Sequence, residues 1–381
     1  MCLMDLTKAF DLVKLSVLFK KLSGKVAPIF IRFLICSYLN QECQVSWNGV
    51  KSSSFSISNG VRQGAVASPP LFNTYIDDLF EELRSSGYGC MIDYLYFGAF
   101  GYADDISLLA PSRQALQAMI NICLDFFTRH GIKISTNTIV KKTKTKVFVY
   151  GVDGVPAVLL LGDKPLPFAQ EWKHLGHVIN SDENPVHDLE EKKRVIIGKV
   201  HSLRQELGAQ DPRVFLKLVR IYLLHLYGCV LWDIFSPDST QLWSTWHRII
   251  KSVFDLPLPT HRHLLTDLVD YDHIKKLIIQ RFVKFAGKIS SSDIPHIRLL
   301  HHHQRMDWRS TYGSNCMNIC LEAGVEDLSD VDMSSLSVNP VPPGGEWRVD
   351  LLADLLKERI NNSGFLTEDE VLNMMNSVCC D

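Results

Sequence analysis

Two adjacent carboxylates, Asp104 and Asp105, sit inside an aromatic, β-rich run over residues 91–109. Neighbouring residues on a flat strand face opposite sides, so such a pair can serve one site only at a turn or a bulge. The run therefore reads as a β-hairpin with the carboxylates at or near its turn. A third carboxylate, Asp5, lies in Cys2-Leu3-Met4-Asp5-Leu6, a short buried strand running into Thr7-Lys8-Ala9-Phe10-Asp11. Clustered carboxylates repel one another, an arrangement that makes sense with cations among them. Mg²⁺ is the natural occupant, because it takes one or two carboxylates and fills its shell with substrate phosphates and water. From spacing alone, an Asp-rich turn reads first as a solvated loop tip, so the metal reading needs further motifs.

The rest of the pattern defines an α+β chain. Residues 13–38 have helical periodicity with a break near Gly24 and Pro28, and residues 43–57 alternate as a hairpin around Asn48-Gly49. Leu71, Phe72, Tyr75, Ile76, Leu79, Phe80 and Leu83 recur at helical spacing after Pro69-Pro70, which suit a helix start. Ser112 can cap a helix with the stripe Leu116, Met119, Ile120, Cys123, Leu124 and Phe127, which Gly131 would end. A strand over 146–150 and a hairpin over 158–179 through Gly162-Asp163-Lys164-Pro165 follow. Beyond Pro185 the pattern is helical over 190–207, 212–232 and 241–254. The expected fold is thus a small antiparallel sheet with helices on one face, followed by a mainly α-helical region.

Charge bounds the partners. The chain of 381 residues has a formal net charge of −2, which excludes a strongly basic coat protein or a polybasic membrane binder. The balance is regional: residues 321–381 hold 13 acidic and three basic residues, so the motif-bearing part carries the positive excess. With Pro340-Val341-Pro342-Pro343-Gly344-Gly345 as a linker, that tail reads as acidic and partly disordered. The ten cysteines lack the spacing of a disulfide scaffold, and no signal peptide is expected. The most apolar stretch, 214–232, is broken by Lys217, Arg220 and His225. An intracellular protein, nuclear and/or cytoplasmic, not secreted and without a membrane span, is expected.

Several motifs together resemble one family. Phe97-Gly98-Ala99-Phe100-Gly101-Tyr102-Ala103-Asp104-Asp105 is similar to the acidic turn of the reverse transcriptases of non-LTR (LINE-like) retrotransposons. Asp5-Leu6-Thr7-Lys8-Ala9-Phe10-Asp11 resembles the family's first carboxylate motif. The run from Gly60-Val61-Arg62-Gln63-Gly64 to Ser68-Pro69-Pro70-Leu71-Phe72-Asn73 resembles the motif G-V-R-Q-G-x-x-x-S-P-x-L-F-N. Gly131-Ile132-Lys133-Ile134 with Lys144-Thr145-Lys146 resembles the next, and Trp172-Lys173-His174-Leu175-Gly176-His177-Val178-Ile179 the primer-grip hairpin. Tyr227-Gly228 with Trp232 is similar to the Y-G-x-x-x-W segment that opens the family's thumb region.

The resemblance implies a polymerase palm over 1–150, truncated at its N-terminus, a primer-grip-like β-hairpin over 151–185, a helical thumb and C-terminal region over 186–320, and the tail over 321–381. It implies RNA-directed DNA synthesis from deoxynucleoside triphosphates on an RNA template and a DNA primer. Two Mg²⁺ ions, or Mn²⁺, would be held by Asp5 and Asp104, with Asp105 as the third acidic residue. Phe10 would be the steric gate against a ribose 2′-hydroxyl, and Arg62, Gln63 and Gly64 would border the nucleotide. Lys144 would sit near the leaving phosphates, with Lys142 and Lys146 as competitors. Leu175 and Gly176 would form the primer grip. The family carries a fingers region before its first carboxylate motif, and many members an endonuclease upstream; both are expected to lie outside this sequence. The alternative is a catalytically inactive, truncated retroelement remnant with residual nucleic-acid binding. An RNA-templated RNA polymerase is disfavoured by Phe10.

Other residues have plainer readings. Phe10 can be core and Arg62 a structural ion-pair partner. Asp77 and Asp78 point about 100° apart on a helix and read as a solvated face. His301-His302-His303 with Cys316 and Cys320 has zinc-ligand chemistry, yet the spacing fits no zinc knuckle, and an exposed His run with two buried cysteines is the simpler reading. Lys192, Lys193, Arg194, Lys199 and Arg204 either track a phosphate backbone or form a solvated face.

Overall fold

Alternation in the first strand organises everything around it. In β1 (Cys2–Thr7), Cys2, Met4 and Leu6 are buried in one core, and Asp5 and Thr7 fall on the opposite face. The computed structural model describes residues 1–39, 41–135, 144–151, 158–207, 212–222, 226–260, 265 and 274–332. They fall into two units, Met1–Trp172 with Asn180–Asp182, and Lys173–Ile179 with the chain from Glu183 onward.

In the first unit, β1 is followed by α1 (Leu15–Leu22) and α2 (Pro28–Leu39). The segment around Asn48-Gly49 is a nested hairpin, with β2 (Glu42–Cys43) paired to β5 (Phe55–Ser56) outside β3 (Ser46–Trp47) and β4 (Val50–Lys51). Asn48 (φ 47°) and Gly49 (φ 82°) supply the two positive φ angles that such a tight turn needs. α3 (Ser68–Ser85) buries Leu71, Phe72, Tyr75, Ile76, Leu79 and Leu83, one stripe at helical spacing. Phe80 from the same helix lies against Gly101, where a Cβ would meet its ring at 2.4 Å.

The short hairpin β6 (Met91–Ile92) and β7 (Leu95–Tyr96) precedes the acidic hairpin of β8 (Ala99–Tyr102) and β9 (Asp105–Leu108). In α4 (Arg113–His130), Ser112 Oγ accepts from Ala115 N–H at 3.2 Å, and Gly131 ends the helix at φ 73°. The stripe of α4 buries Phe126, where sequence periodicity had Leu124. Phe126 is wedged between the neighbouring Phe127 and the ring of His130, stacked on it at 4.0 Å.

β1 pairs with β9 on one side. On the other it pairs with β10 (Lys133–Ile134) at its C-terminal end and β11 (Lys146–Val147) at its N-terminal end. β8 completes the sheet beyond β9, and every pairing is antiparallel. Alternate residues of β1 and β9 share a core with α3 and α4, each large side chain fully buried there contributing about 1.5–3 kcal/mol. The expected single hairpin over 158–179 is two: β12 (Leu160–Leu161) with β13 (Lys164–Pro165), and β14 (Glu171–His174) with β15 (His177–Asn180). Gly162 (φ 61°) turns the first, and Leu175 (φ 47°) with Gly176 (φ 80°) turns the second.

The second unit is helical: α5 (Val186–Leu207), α6 (Pro212–Tyr222), α7 (Pro237–Val253), α8 (Ile274–Ser290), α9 (Pro295–Met306) and α10 (Thr311–Ala323). Its core joins Val200, Phe215, Trp246, Phe282 and Ile319. α5 starts earlier than residue 190 because Asn184 Oδ1 accepts from Val186 N–H at 3.0 Å. The helix expected over 212–232 is interrupted. α6 is described to Tyr222, residues 223–225 lie outside the described residues, and residues 226–228 turn with Leu226 at φ 42° and Gly228 at φ 81° before a 3₁₀ turn at Cys229–Leu231. The apolar pattern continues through this turn because Leu226, Cys229 and Trp232 are all buried in the same core. At the start of the acidic tail, α10 ends on Gly324 (φ 68°), and Leu328 packs into the core. Residues 333–381, including the Pro-Gly linker, lie outside the described residues.

Candidate active site

Register brings two of the three sequence-singled carboxylates face to face. Asp5 of β1 is the direct cross-strand partner of Asp105 of β9, and the same pairing matches Met4 with Ile106 and Cys2 with Leu108. Since Met4, Ile106, Cys2 and Leu108 turn into the core, the aspartates lie on the sheet face away from it. Asp104 precedes β9 in the two-residue turn it forms with Ala103 (φ 53°). Asp104 is thus at the corner of the hairpin, while Asp105 is inside the ladder.

Like charges directly opposite on a sheet are unfavourable, so this pair favours a nearby cation. One is present. Lys144 Nζ lies 3.5 Å from Asp5 Oδ1, and the Asp5 carboxylate is 25 % exposed. Lys146, one of its competitors, is buried on β11 with its ammonium 4.8 Å from the Trp172 ring, and burial pushes its pKa below the ordinary lysine value. Lys142 lies outside the described residues. The Asp5 backbone is held on both sides: its carbonyl accepts from Ser135 N–H at 2.8 Å, and its N–H faces Thr145 Oγ at 3.5 Å. Among the described residues no three His, Cys, Asp or Glu side chains gather into a metal-holding group. The donor set is two paired carboxylates and a third at the adjacent corner, all hard oxygens, which suits a hard divalent cation that draws its remaining ligands from phosphates and water.

Phe10 is half-buried and stacked on Phe72, ring centroids 5.0 Å apart and 19° from parallel. Its backbone carbonyl accepts from Val61 N–H at 2.8 Å, tying the first carboxylate motif to the Gly-Val-Arg-Gln-Gly segment. Gly60 (φ 90°) permits this crossing, since a Cβ there would meet the Asp11 carbonyl oxygen at 2.9 Å. Gln63 Nε2 donates to Asp11 Oδ1 at 3.0 Å, leaving its own Oε1 as an acceptor. Gly64 (φ 81°) has open space where a side chain would stand. The Arg62 guanidinium donates to the Ser37 carbonyl at 2.9 Å and lies 5.5 Å from the Tyr38 ring centroid. With Nε donating to Gln41 Oε1 at 3.3 Å, its partners are a carbonyl, an amide oxygen and a ring, where an ion pair was the plain reading. Asp11, Gln41, Gly60, Arg62 and Gln63 line a cleft of about 790 Å³.

Leu175 and Gly176 form the two-residue turn between β14 and β15. Sequence reasoning missed the residue that holds this turn, Asp188 in the first turn of α5, which is buried and bonded to Val178 and Trp232. Aspartate is common in the first turn of a charged helix, so only its long-range partners distinguish it.

The remaining candidates find structural partners. Asp77 and Asp78 pair with Lys25 and Lys21 at 2.8 and 3.1 Å, so that helix face is exposed but ion-paired. His301 Nδ1 is 2.9 Å from Tyr312 Oη, His302 and His303 are exposed, and Cys316 is buried while Cys320 is only partly so. Of the basic residues of α5, Lys192 donates to the Gly176 carbonyl, Lys193 to Gln241 and Arg204 to Ser252, while Arg194 and Lys199 are exposed. No helix among the described residues is long and apolar enough to cross a membrane.

A small antiparallel sheet presenting paired carboxylates beside a hairpin corner, with the Gly60–Gly64 segment crossing the first motif, fits a polymerase palm-like domain. Residues 1–179, just under half of the chain, match the family model of reverse transcriptase (RNA-dependent DNA polymerase), and this stretch is a reverse transcriptase domain with homology to the RNA-directed DNA polymerases of non-LTR retrotransposons. The chain is 30% identical over 186 residues to the Retrovirus-related Pol polyprotein from type-2 retrotransposable element R2DM of Drosophila melanogaster, covering 45% of this chain and 17% of that protein. It is 30% identical over 190 residues to the corresponding polyprotein from type-1 retrotransposable element R2 of Nasonia vitripennis, covering 47% and 18%. It is 26% identical over 184 residues to the RNA-directed DNA polymerase from mobile element jockey of Drosophila funebris, covering 47% and 19%. The matched segment thus spans under a fifth of the length of these relatives.

Proposed function

We propose that the chain performs RNA-directed DNA synthesis, joining deoxynucleoside monophosphates from dNTPs to the 3′-hydroxyl of a DNA primer on an RNA template. The observation that carries this reading is the cross-strand register of Asp5 with Asp105 beside the Asp104 corner. In the reaction, the 3′-oxygen attacks the α-phosphorus, a new P–O bond forms, pyrophosphate leaves, and the 3′-hydroxyl proton passes to solvent. Two Mg²⁺ ions held by Asp5, Asp104 and Asp105, with Mn²⁺ as a substitute, would lower the pKa of the 3′-hydroxyl and offset charge on the leaving pyrophosphate. Lys144, which neighbours Asp5, adds positive charge for the triphosphate. Phe10, backed by Phe72, closes the space a 2′-hydroxyl would need. Gln63, oriented by Asp11, offers an acceptor to the nucleotide, and Gly64 lets backbone approach it. Leu175 and Gly176 hold the primer end. The setting for this chemistry is the nucleus and/or the cytoplasm.

Primer extension on an RNA template, comparing the chain with its Asp104→Ala variant, tests the reading. Incorporation by the wild-type chain, lowered at least 100-fold in the variant, is expected. Equal incorporation by both would remove Asp104 from the chemistry. Absence of incorporation with salt-dependent binding of a primer–template duplex would establish the inactive-remnant reading instead.

A further inference from the structure

The turn of the β14–β15 hairpin is fastened by a carboxylate that polymerase chemistry does not call for. The Asp188 side chain is only 6 % exposed. Oδ1 accepts the backbone N–H of Val178 at 3.0 Å, and Oδ2 accepts the indole N–H of Trp232 at 2.8 Å. His177 Nδ1 stands 3.6 Å from Oδ2, and Lys192 Nζ 4.0 Å from Oδ1. A carboxylate withdrawn from water is tolerated when its oxygens are taken up by donors, and here each oxygen has one N–H with a basic group beyond it.

The surrounding contacts converge on the same turn. Lys192 Nζ donates to the Gly176 carbonyl at 2.7 Å. The His177 ring stacks on Tyr227, centroids 4.9 Å apart and 22° from parallel. A Cβ on Gly228 would fall 1.5 Å from His177 Cε1, so only glycine leaves room for that ring. A Cβ on Gly176 would come within 3.1 Å of Tyr227 Cε1. Gly176, His177 and Val178 are therefore each fixed from outside the hairpin, while Leu175 stays partly exposed at its tip. These contacts give Tyr227, Gly228 and Trp232 one purpose: a ring to stack on, a gap for the imidazole, and a donor to the carboxylate.

We propose that Asp188 is a positioning residue for the primer, acting through Val178 and the turn Leu175-Gly176. The proposal rests on the polymerase reading above, in which that turn holds the primer end. Nucleotidyl transfer needs the 3′-oxygen within about 3–3.5 Å of the phosphorus, so a turn free to pivot lowers productive alignment without altering the nucleotide pocket.

Asp188→Asn tests this in the full chain. The variant keeps the shape, but its NH₂ group faces one of the two N–H donors, so one bond is lost. Trp232→Phe is the second variant, removing only the indole donor. Amide exchange at Val178 is expected to accelerate roughly 10-fold in Asp188→Asn, while the amides of β1 keep their protection and report an intact fold. In primer extension, KM for primer–template is expected to rise about 10-fold in both variants with KM for dNTP unchanged, a split that general loss of structure would not produce. Unchanged Val178 exchange in Asp188→Asn overturns the proposal, and so does faster exchange with unaltered primer use. Should the wild-type chain extend no primer, the polymerase reading fails by itself. Fluorescence anisotropy with a recessed 3′-end duplex then decides the latch: about 10-fold weaker binding by Asp188→Asn supports it, and equal binding, or none by the wild type, overturns it.

Discussion

Replacing Gly228 by alanine separates two penalties that the structure puts at one position. Gly228 has φ 81°, a left-handed conformation that charges an L-residue about 1–2 kcal/mol. The added methyl would lie 1.5 Å from His177 Cε1, far inside any contact distance, so the imidazole must leave its place. Leaving breaks the stack on Tyr227, worth about 0.5–1.5 kcal/mol. It also drags the neighbouring Val178 N–H away from Asp188, a loss of about 1–3 kcal/mol for a charge-assisted bond. The total is about 2.5–6.5 kcal/mol, which lowers Tm of a unit this size by roughly 5–26 °C. Calorimetric melting of the wild type, Gly228→Ala, His177→Ala and the double variant is the assay. With the ring removed, Gly228→Ala is expected to cost only its backbone part, about 1–2 kcal/mol, giving a coupling above about 1 kcal/mol. Equal costs in the two backgrounds would refute the steric argument.

Three further outcomes follow from other parts of the molecule. Asp105→Asn removes one member of the pair facing Asp5; without divalent metal it is expected to gain about 0.2–1 kcal/mol, the usual cost of like charges directly opposite. Mg²⁺ is expected to raise Tm of the wild type and not of the variant, and calorimetry in EDTA and in Mg²⁺ reads both; a destabilised variant with an intact Mg²⁺ response counts against the site. Phe10→Val opens the space in front of Phe72 and is expected to relax dNTP over rNTP preference on the order of 10²-fold, measured as the ratio of kcat/KM values; unchanged preference would return Phe10 to the core. Hydrogen bonds from Ser329, then the Arg305 guanidinium, hold the Asp327 carboxyl down at about 2 against the usual 3.8. Its stabilisation is therefore complete above the unfolded value and lost as pH falls from about 4 towards 2. Because the side chain is 41 % exposed, solvent keeps the effect below about 1 kcal/mol. Asp327→Asn should lower Tm at pH 7 and by much less at pH 2, and an offset equal at both pH values would contradict this.

What the sequence made legible was local. The acidic turn, the stripe of α3 and the cap and stop of α4 at Ser112 and Gly131 follow from rules that span a few residues. Distances along the chain decide what was not legible. The three carboxylates could be singled out by type, but only the β1–β9 register pairs Asp5 with Asp105 and leaves Asp104 at the corner. Apolar periodicity ran through Gly228 because the turn at 226–228 buries its neighbours as a helix would, and that turn was invisible for that reason. Asp188 is the largest omission. Its bond to Trp232 joins residues 44 apart, and no local pattern separates it from Glu190 and Glu191 beside it.

The most direct test of the account is whether the product copies an RNA. Incubating the chain with a DNA primer, an RNA template of defined sequence, the four dNTPs and Mg²⁺, then sequencing the extended strands, should yield DNA complementary to the template. EDTA or Asp5→Asn should abolish it. Extension that ignores the template, or that survives Asp5→Asn unchanged, would contradict the assignment of Asp5 and its cross-strand partner as the centre of a reverse transcriptase.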